Sequence, residues 1–227
     1  RGAMRALAVG RRAENARRWR APTVACACNI DVLICNVVIS LEDPAVRRRA
    51  AEAVERIGWS DLTLDELGRA LGVSRVTLYR QGIAKRDVLA ALRDYLADSY
   101  REALWPALTG SGPAPQRLST ALGGLCDVSE RHLGLLRALP DDDLDTVFHD
   151  PGTEALTRAE IAAGLTRLLR DGVADGSFAV ADSAEETATL LLNFIGWTYR
   201  HLRSGHRWSQ DHARRAVIEF AVRGVSA

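Results

Sequence analysis

Residues 63–85, TLDELGRALGVSRVTLYRQGIAK, constrain this chain more than any other stretch, because two short helical patterns meet there across a tight turn. Thr63-Leu64-Asp65-Glu66 has capping-box spacing, in which the threonine hydroxyl and the glutamate carboxylate take up free amides of a helix's first turn. Leu64, Leu67, Ala70 and Leu71 then recur at helical spacing and give that helix one apolar face. Gly72 is suited to the left-handed backbone that ends a helix without a side-chain clash. Ser74 stands where it caps a second helix, Arg75 to about Arg80. Two helices joined by so short a glycine turn predict a helix-turn-helix, with the second helix aimed at a DNA major groove.

Charge supports that reading. The net charge of the 227 residues is only +1, which by itself argues against nucleic acid. Its distribution does not. Residues 1–43 hold seven Arg against four acidic residues, and residues 44–86 hold nine Lys and Arg against five. Residues 87–227 hold fourteen Arg against twenty acidic residues, so the basic end coincides with the helix-turn-helix. A phosphate-binding end on an acidic body follows. Cys26, Cys28 and Cys35 cluster far from Cys126 without the spacing of a structural metal site, and read as reduced thiols of a cytoplasmic protein.

Residues 1–20 are Arg-rich and residues 24–41 largely apolar, in the manner of a signal or anchor. Against an anchor stand Asn29, Asn36 and Asp31, the last costing about 2.5–3.5 kcal/mol at a membrane centre. No membrane partner is expected. The stretch around Ile30–Ile39 is open between a strand, a helix laid on the body and a leader preceding a start near residue 40. Residues 1–20 are either a solvated tail or an arginine arm for the minor groove.

Pro44 suits the first turn of a helix running to Gly58 through Val46, Ala50, Ala53, Val54 and Ile57. Its Arg47-Arg48-Arg49 run is either a solvated face or a phosphate contact. Trp59 and Leu62 are expected to plug the core beneath the two short helices, as are Leu67, Leu71, Val73 and Leu78. A further helix runs from about Lys85 to Trp105, with Lys85 in the first turn, where the helix dipole disfavours a cation. A phosphate is the natural compensation.

Over residues 44–92 the chain resembles the DNA-binding domain of the tetracycline-repressor (TetR) family. The resemblance is carried by Ala50-Ala51, Gly58, Leu62-Thr63, Gly72-Val73-Ser74, Thr77-Leu78-Tyr79 and Lys85 followed by Leu89. It implies that Thr63, Thr77, Tyr79 and Lys85 contact phosphates, while Arg75, Val76 and Arg80 face base edges beside the capping Ser74. One position departs. Gly82 stands where the family places a bulky apolar residue, which leaves open how the third helix ends and how the fourth is set.

Beyond the loop at Gly110–Pro115, helical patterns fall at about 116–130, 132–139, 153–175, 183–203 and 209–224, so the fold class is all-α. The domain reading is an extension over 1–43, a helix-turn-helix domain over 44–90 and a helical effector-binding and dimerisation domain over 91–227. Small and aliphatic faces on 183–203 and 209–224 suit pairing with a second copy, or else an intramolecular core. Effector-binding candidates, resting on the resemblance, are Trp105, His132, Leu136, Phe148, His149, Phe194, Trp197 and Tyr199. The run Asp141-Asp142-Asp143 with His149 and Asp150 reads as a solvated loop rather than a metal site.

Gly-rich phosphate loops, HExxH and G-x-S-x-G are all lacking, so neither an enzyme nor a cofactor is expected. The reading is a homodimeric, sequence-specific DNA-binding transcriptional regulator, a repressor released from a near-palindromic double-stranded operator by a small-molecule effector. The alternative is a constitutive or architectural DNA-binding protein without an effector.

Overall fold

The computed structural model describes residues 38–139, 156–180 and 183–227, with residues 156–160 described by backbone alone. Cys26, Cys28, Cys35, the Arg-rich and apolar extension to residue 37, the acidic run at 141–143, Phe148 and His149 lie outside the described residues. The described chain is helical: α1 (Pro44–Ile57), α2 (Leu64–Leu71), α3 (Arg75–Arg80), α4 (Lys85–Thr109), α5 (Ala114–Arg131), α6 (Leu133–Ala138), α7 (Leu156–Ala174) and α8 (Ala184–Asn193). A π-helical segment over Phe194–Tyr199 joins α8 to α9 (Arg200–Ser204), and α10 (Gln210–Val225) closes the chain. Phe178 and Ser226 form an isolated antiparallel bridge that pins the C-terminus beside the end of α7.

Local chemistry explains most boundaries. The Asp43 carboxylate accepts from Ala45 N–H at 2.8 Å and Pro44 occupies the first turn of α1. Ser183 and Glu186 form a second capping box, starting α8. Two boundaries differ from the sequence expectation. Pro106 does not stop α4 at Trp105: the helix continues to Thr109, because a proline so near a helix end breaks little of the ladder. The helix expected to run unbroken over 183–203 widens to π geometry at Phe194–Tyr199.

The apolar side chains gather in two clusters. In the body, Tyr100, Leu104, Leu118, Leu122, Leu125, Leu165, Ile195, Tyr199 and Val217 are buried together. At the N-terminal end, Val54, Trp59, Leu62, Leu67, Leu71, Val73 and Leu78 are joined by Val88, Leu92 and Leu96 of α4. That second cluster also takes in Leu135 and Leu136 of α6, with the following Leu139. Fully burying each leucine contributes roughly 1.5–3 kcal/mol, so α6 is a substantial part of the core beneath the helix-turn-helix. Glu55 of α1 fastens it there by accepting from Leu135 N–H at 3.1 Å, and Trp59 N–H donates to Ala138 O at 3.3 Å.

Candidate nucleic-acid interface

The capping box at Thr63 is complete: Thr63 N–H donates to Glu66 Oε2 at 2.8 Å and Glu66 N–H donates to Thr63 Oγ1 at 3.2 Å. The Thr63 N–H and its hydroxyl, the latter also donating to Glu66 Oε2 at 2.8 Å, hold the Glu66 carboxyl below its usual range. Helix α2 ends at Gly72, whose φ of 77° is left-handed; Gly72 N–H donates to Arg69 O and Val73 N–H to Gly68 O. These two reversed bonds are a Schellman motif. Ser74 Oγ then accepts from Thr77 N–H at 3.1 Å and starts α3.

Helix α3 ends by the same device. Gly82 has a φ of 70°, its N–H donates to Tyr79 O, and Ile83 N–H donates to Leu78 O. Buried Ile83 and Leu78 lie in the same cluster, the apolar contact such a cap brings with it. Gly82, the departure from the TetR pattern, thus acquires a physical role: it replaces a bulky anchor with a backbone turn that only glycine adopts freely. Gly68 matters as well, and its place within the first helical pattern was its only sequence signal. A Cβ there would lie 2.7 Å from Val73 O, so the missing side chain lets the turn fold back onto α2.

With both ends fixed, α3 presents one face outward. Val76 is 56% and Tyr79 80% exposed, flanked by exposed Arg75 and Arg80, while Leu78 is buried beneath. Arg75 lies 3.8 Å from Asp65 of α2, an exposed pair of small energetic weight. Thr63 is exposed at the start of α2.

Three of the side chains singled out by sequence have partners within the chain. Thr77 is only 5% exposed, and its hydroxyl hydrogen-bonds with Ser74 Oγ at 2.9 Å, because it falls on the inner side of α3. The Lys85 ammonium donates to the carbonyls of Trp59 and Ser60 and sits 4.6 Å from the Trp59 ring centroid. Carbonyls and a π face therefore already help offset its position at the start of α4. Arg47 is neither a solvated charge nor turned to phosphate: it lies 3.5 Å from Asp94 and 3.2 Å from Asp98, and donates to Leu41 O at 2.8 Å, binding α1 to α4.

The described effector candidates do not converge on one cavity. Trp105 is 66% exposed on α4. Phe194 stacks on Phe220 with ring centroids 5.3 Å apart. His132 is buried, 3.2 Å from Ser99 Oγ and edge-on to Tyr95, and burial, with Arg131 adding to it, pushes its imidazole down to about 4. Tyr199 is fully buried, with its hydroxyl donating to Glu130 Oε2 at 2.8 Å. Burial and that carboxylate raise the phenol pKa. Arg203 donates to the same Glu130 from Nε at 2.7 Å and Nη2 at 2.6 Å, lowering the carboxyl's pKa. Trp197 and Leu136 do share a cleft, lined also by Arg200.

A helix-turn-helix head on an all-helical body is the architecture these elements define. It is the fold of TetR-family transcriptional regulators. The structure superposes on a TetR/AcrR-family regulator from Thermobifida fusca with a TM-score of 0.62 at 22% identity, over 79% of this chain and 95% of that one. A TetR-family regulatory protein from Rhodococcus gives a TM-score of 0.62 at 22% identity, over 84% and 99% of the two chains. The ketosteroid transcriptional regulator of Mycobacterium tuberculosis gives 0.59 at 14% identity, over 84% and 97%. No family profile and no curated protein matches the sequence. Among the described residues, no helix is long and apolar enough to cross a membrane.

Proposed function

We propose that this chain is a cytoplasmic, homodimeric, sequence-specific transcriptional regulator of the TetR family, a repressor that a small-molecule effector releases from a near-palindromic operator. The observation that carries it is the outward face of α3, with Arg75, Val76, Tyr79 and Arg80 exposed on a helix fixed at both ends. Arg75, Val76 and Arg80 face base edges in this reading, and Thr63 and Tyr79 meet phosphates. Ser74, Thr77 and Lys85 serve it by holding the helices at the angle the groove requires.

Dimerisation uses the helices at the end of the chain. Leu190 on α8 is 68% and Phe220 on α10 69% exposed, and Phe194 of the π segment stacks on Phe220. Exposed apolar side chains on α8, the π segment and α10 suit a four-helix interface with a second copy. Two heads then read half-sites about 34–36 Å apart. The effector acts as a population shift, favouring the arrangement that does not fit the operator.

Selection of binding sites from genomic fragments by the purified protein tests the reading. A near-palindromic site is the expected product. On that site Arg75→Ala costs about 1–3 kcal/mol of discrimination at one base position. Equal loss on every sequence would leave only an architectural DNA binder, and an operator affinity that no ligand alters would leave a constitutive one.

A further inference from the structure

Between α6 and the π segment with α9 lies a cleft of about 430 Å³. Its described lining includes Arg137, Arg200, His201, Ser204, Trp197 and Leu139, and contains no acidic side chain. The body's net charge is negative by sequence, so a pocket with two guanidiniums and an imidazole stands apart from its surroundings. Arg200 is held in place rather than waving in solvent: its guanidinium lies 4.3 Å from the Trp197 ring centroid and Nη1 donates to Leu136 O at 3.5 Å. Ser204 Oγ is buried without a hydrogen-bond partner among the described residues. Buried polar side chains in folded proteins nearly always have one.

We propose that this cleft binds an organic anion, a carboxylate carried on a flat aromatic body. A guanidinium fork matches a carboxylate in shape and charge, and Arg200 is already oriented by the indole it stacks on. Arg137 supplies a second cation, and Ser204 a hydroxyl donor. Leu136, Leu139 and the Trp197 ring supply the apolar wall against which an aromatic body lies. Because Leu136 and Leu139 belong to the core under the helix-turn-helix, a molecule seated here touches the head and the body at once. Its role as the effector rests on the regulatory reading above; the binding does not.

Isothermal titration calorimetry of the full chain with naphthalene-2-carboxylate and its neutral amide, naphthalene-2-carboxamide, tests the site. The carboxylate binds roughly tenfold or more tightly than the amide, because only it pairs with the guanidiniums. Arg200→Met abolishes that preference, and Arg137→Met and Ser204→Ala weaken carboxylate binding severalfold. Arg137 is exposed, so Arg137→Met reports on the site even if Arg200→Met unfolds the protein. Equal affinity for the two probes, or indifference to both arginine changes, overturns the proposal. Carboxylate binding that leaves operator affinity unchanged supports the site and removes its effector role.

Discussion

In the head, α2 and α3 are set by backbone devices: two Schellman turns at Gly72 and Gly82, side-chain caps at Thr63 and Ser74, and a missing Cβ at Gly68. In the body, the corresponding job falls to long polar side chains. Glu130 of α5 accepts from Tyr199 and twice from Arg203, and Arg117 of α5 reaches Asp171 of α7 at 2.9 Å. The difference has a physical sense. Turns closed within six residues leave α3 little freedom, which suits the fixed register on a groove that the proposed function asks of it. Ion pairs between helices can be exchanged for others without unfolding either helix, which suits the two arrangements that the proposed function asks of the body.

The largest effect expected from breaking this contrast is in the body. Glu130→Ala strands Arg203 and the buried Tyr199 hydroxyl and costs about 2–3 kcal/mol, somewhat less than a wholly buried pair because each side chain is about one-fifth exposed. Urea unfolding measures it, and a loss under 1 kcal/mol on the scale of exposed pairs would show the triad to be ornamental. Next comes Gly68→Ala, whose Cβ must push Val73 O away: about 2 kcal/mol, as for an overpacked site, together with weakened operator binding. Normal DNA affinity in that variant would mean that the turn tolerates displacement. Gly82→Ala meets no atom within 4 Å but keeps a φ of 70°, so its cost is the left-handed backbone alone, about 1–2 kcal/mol. A larger loss would point to something beyond backbone strain at this turn.

The smallest effect at neutral pH belongs to His132, which packs edge-on to Tyr95 beside Ser99. Its folded pKa is about 4 against an ordinary 6.5, so between those values the unfolded chain binds more protons than the folded one. The stability that neutral His132 contributes is therefore present above pH 6.5 and is lost as pH falls toward 4. The unfolding midpoint in urea drops over that window, and His132→Gln flattens the drop; an unchanged slope would place the proton elsewhere.

Much of the head was legible because its determinants are local. Thr63, Glu66, Gly72 and Ser74 act within a few residues of themselves, and the apolar spacing of Leu67, Leu71 and Leu78 announced their burial. What the pattern did not show there was where two of the side chains would find their intramolecular partners. Lys85 sat at an awkward helix end, but only folding brings Trp59 and Ser60 to it. Thr77 has a residue type fit for phosphate, and its direction around the short helix turned it inward. In the body, Glu130 and Arg203 are 73 positions apart, and nothing in either neighbourhood names the other.

By itself, then, the sequence determined that a capped helix-turn-helix sits beside an all-helical body, because caps, glycine turns and apolar periodicity are written within single helices. Tertiary structure alone decided that α6 belongs beneath the head and that Arg137 and Arg200 face a common cleft. Those facts depend on which distant surfaces meet, and the alternation of apolar and polar residues along one helix says that a face is buried without saying against what.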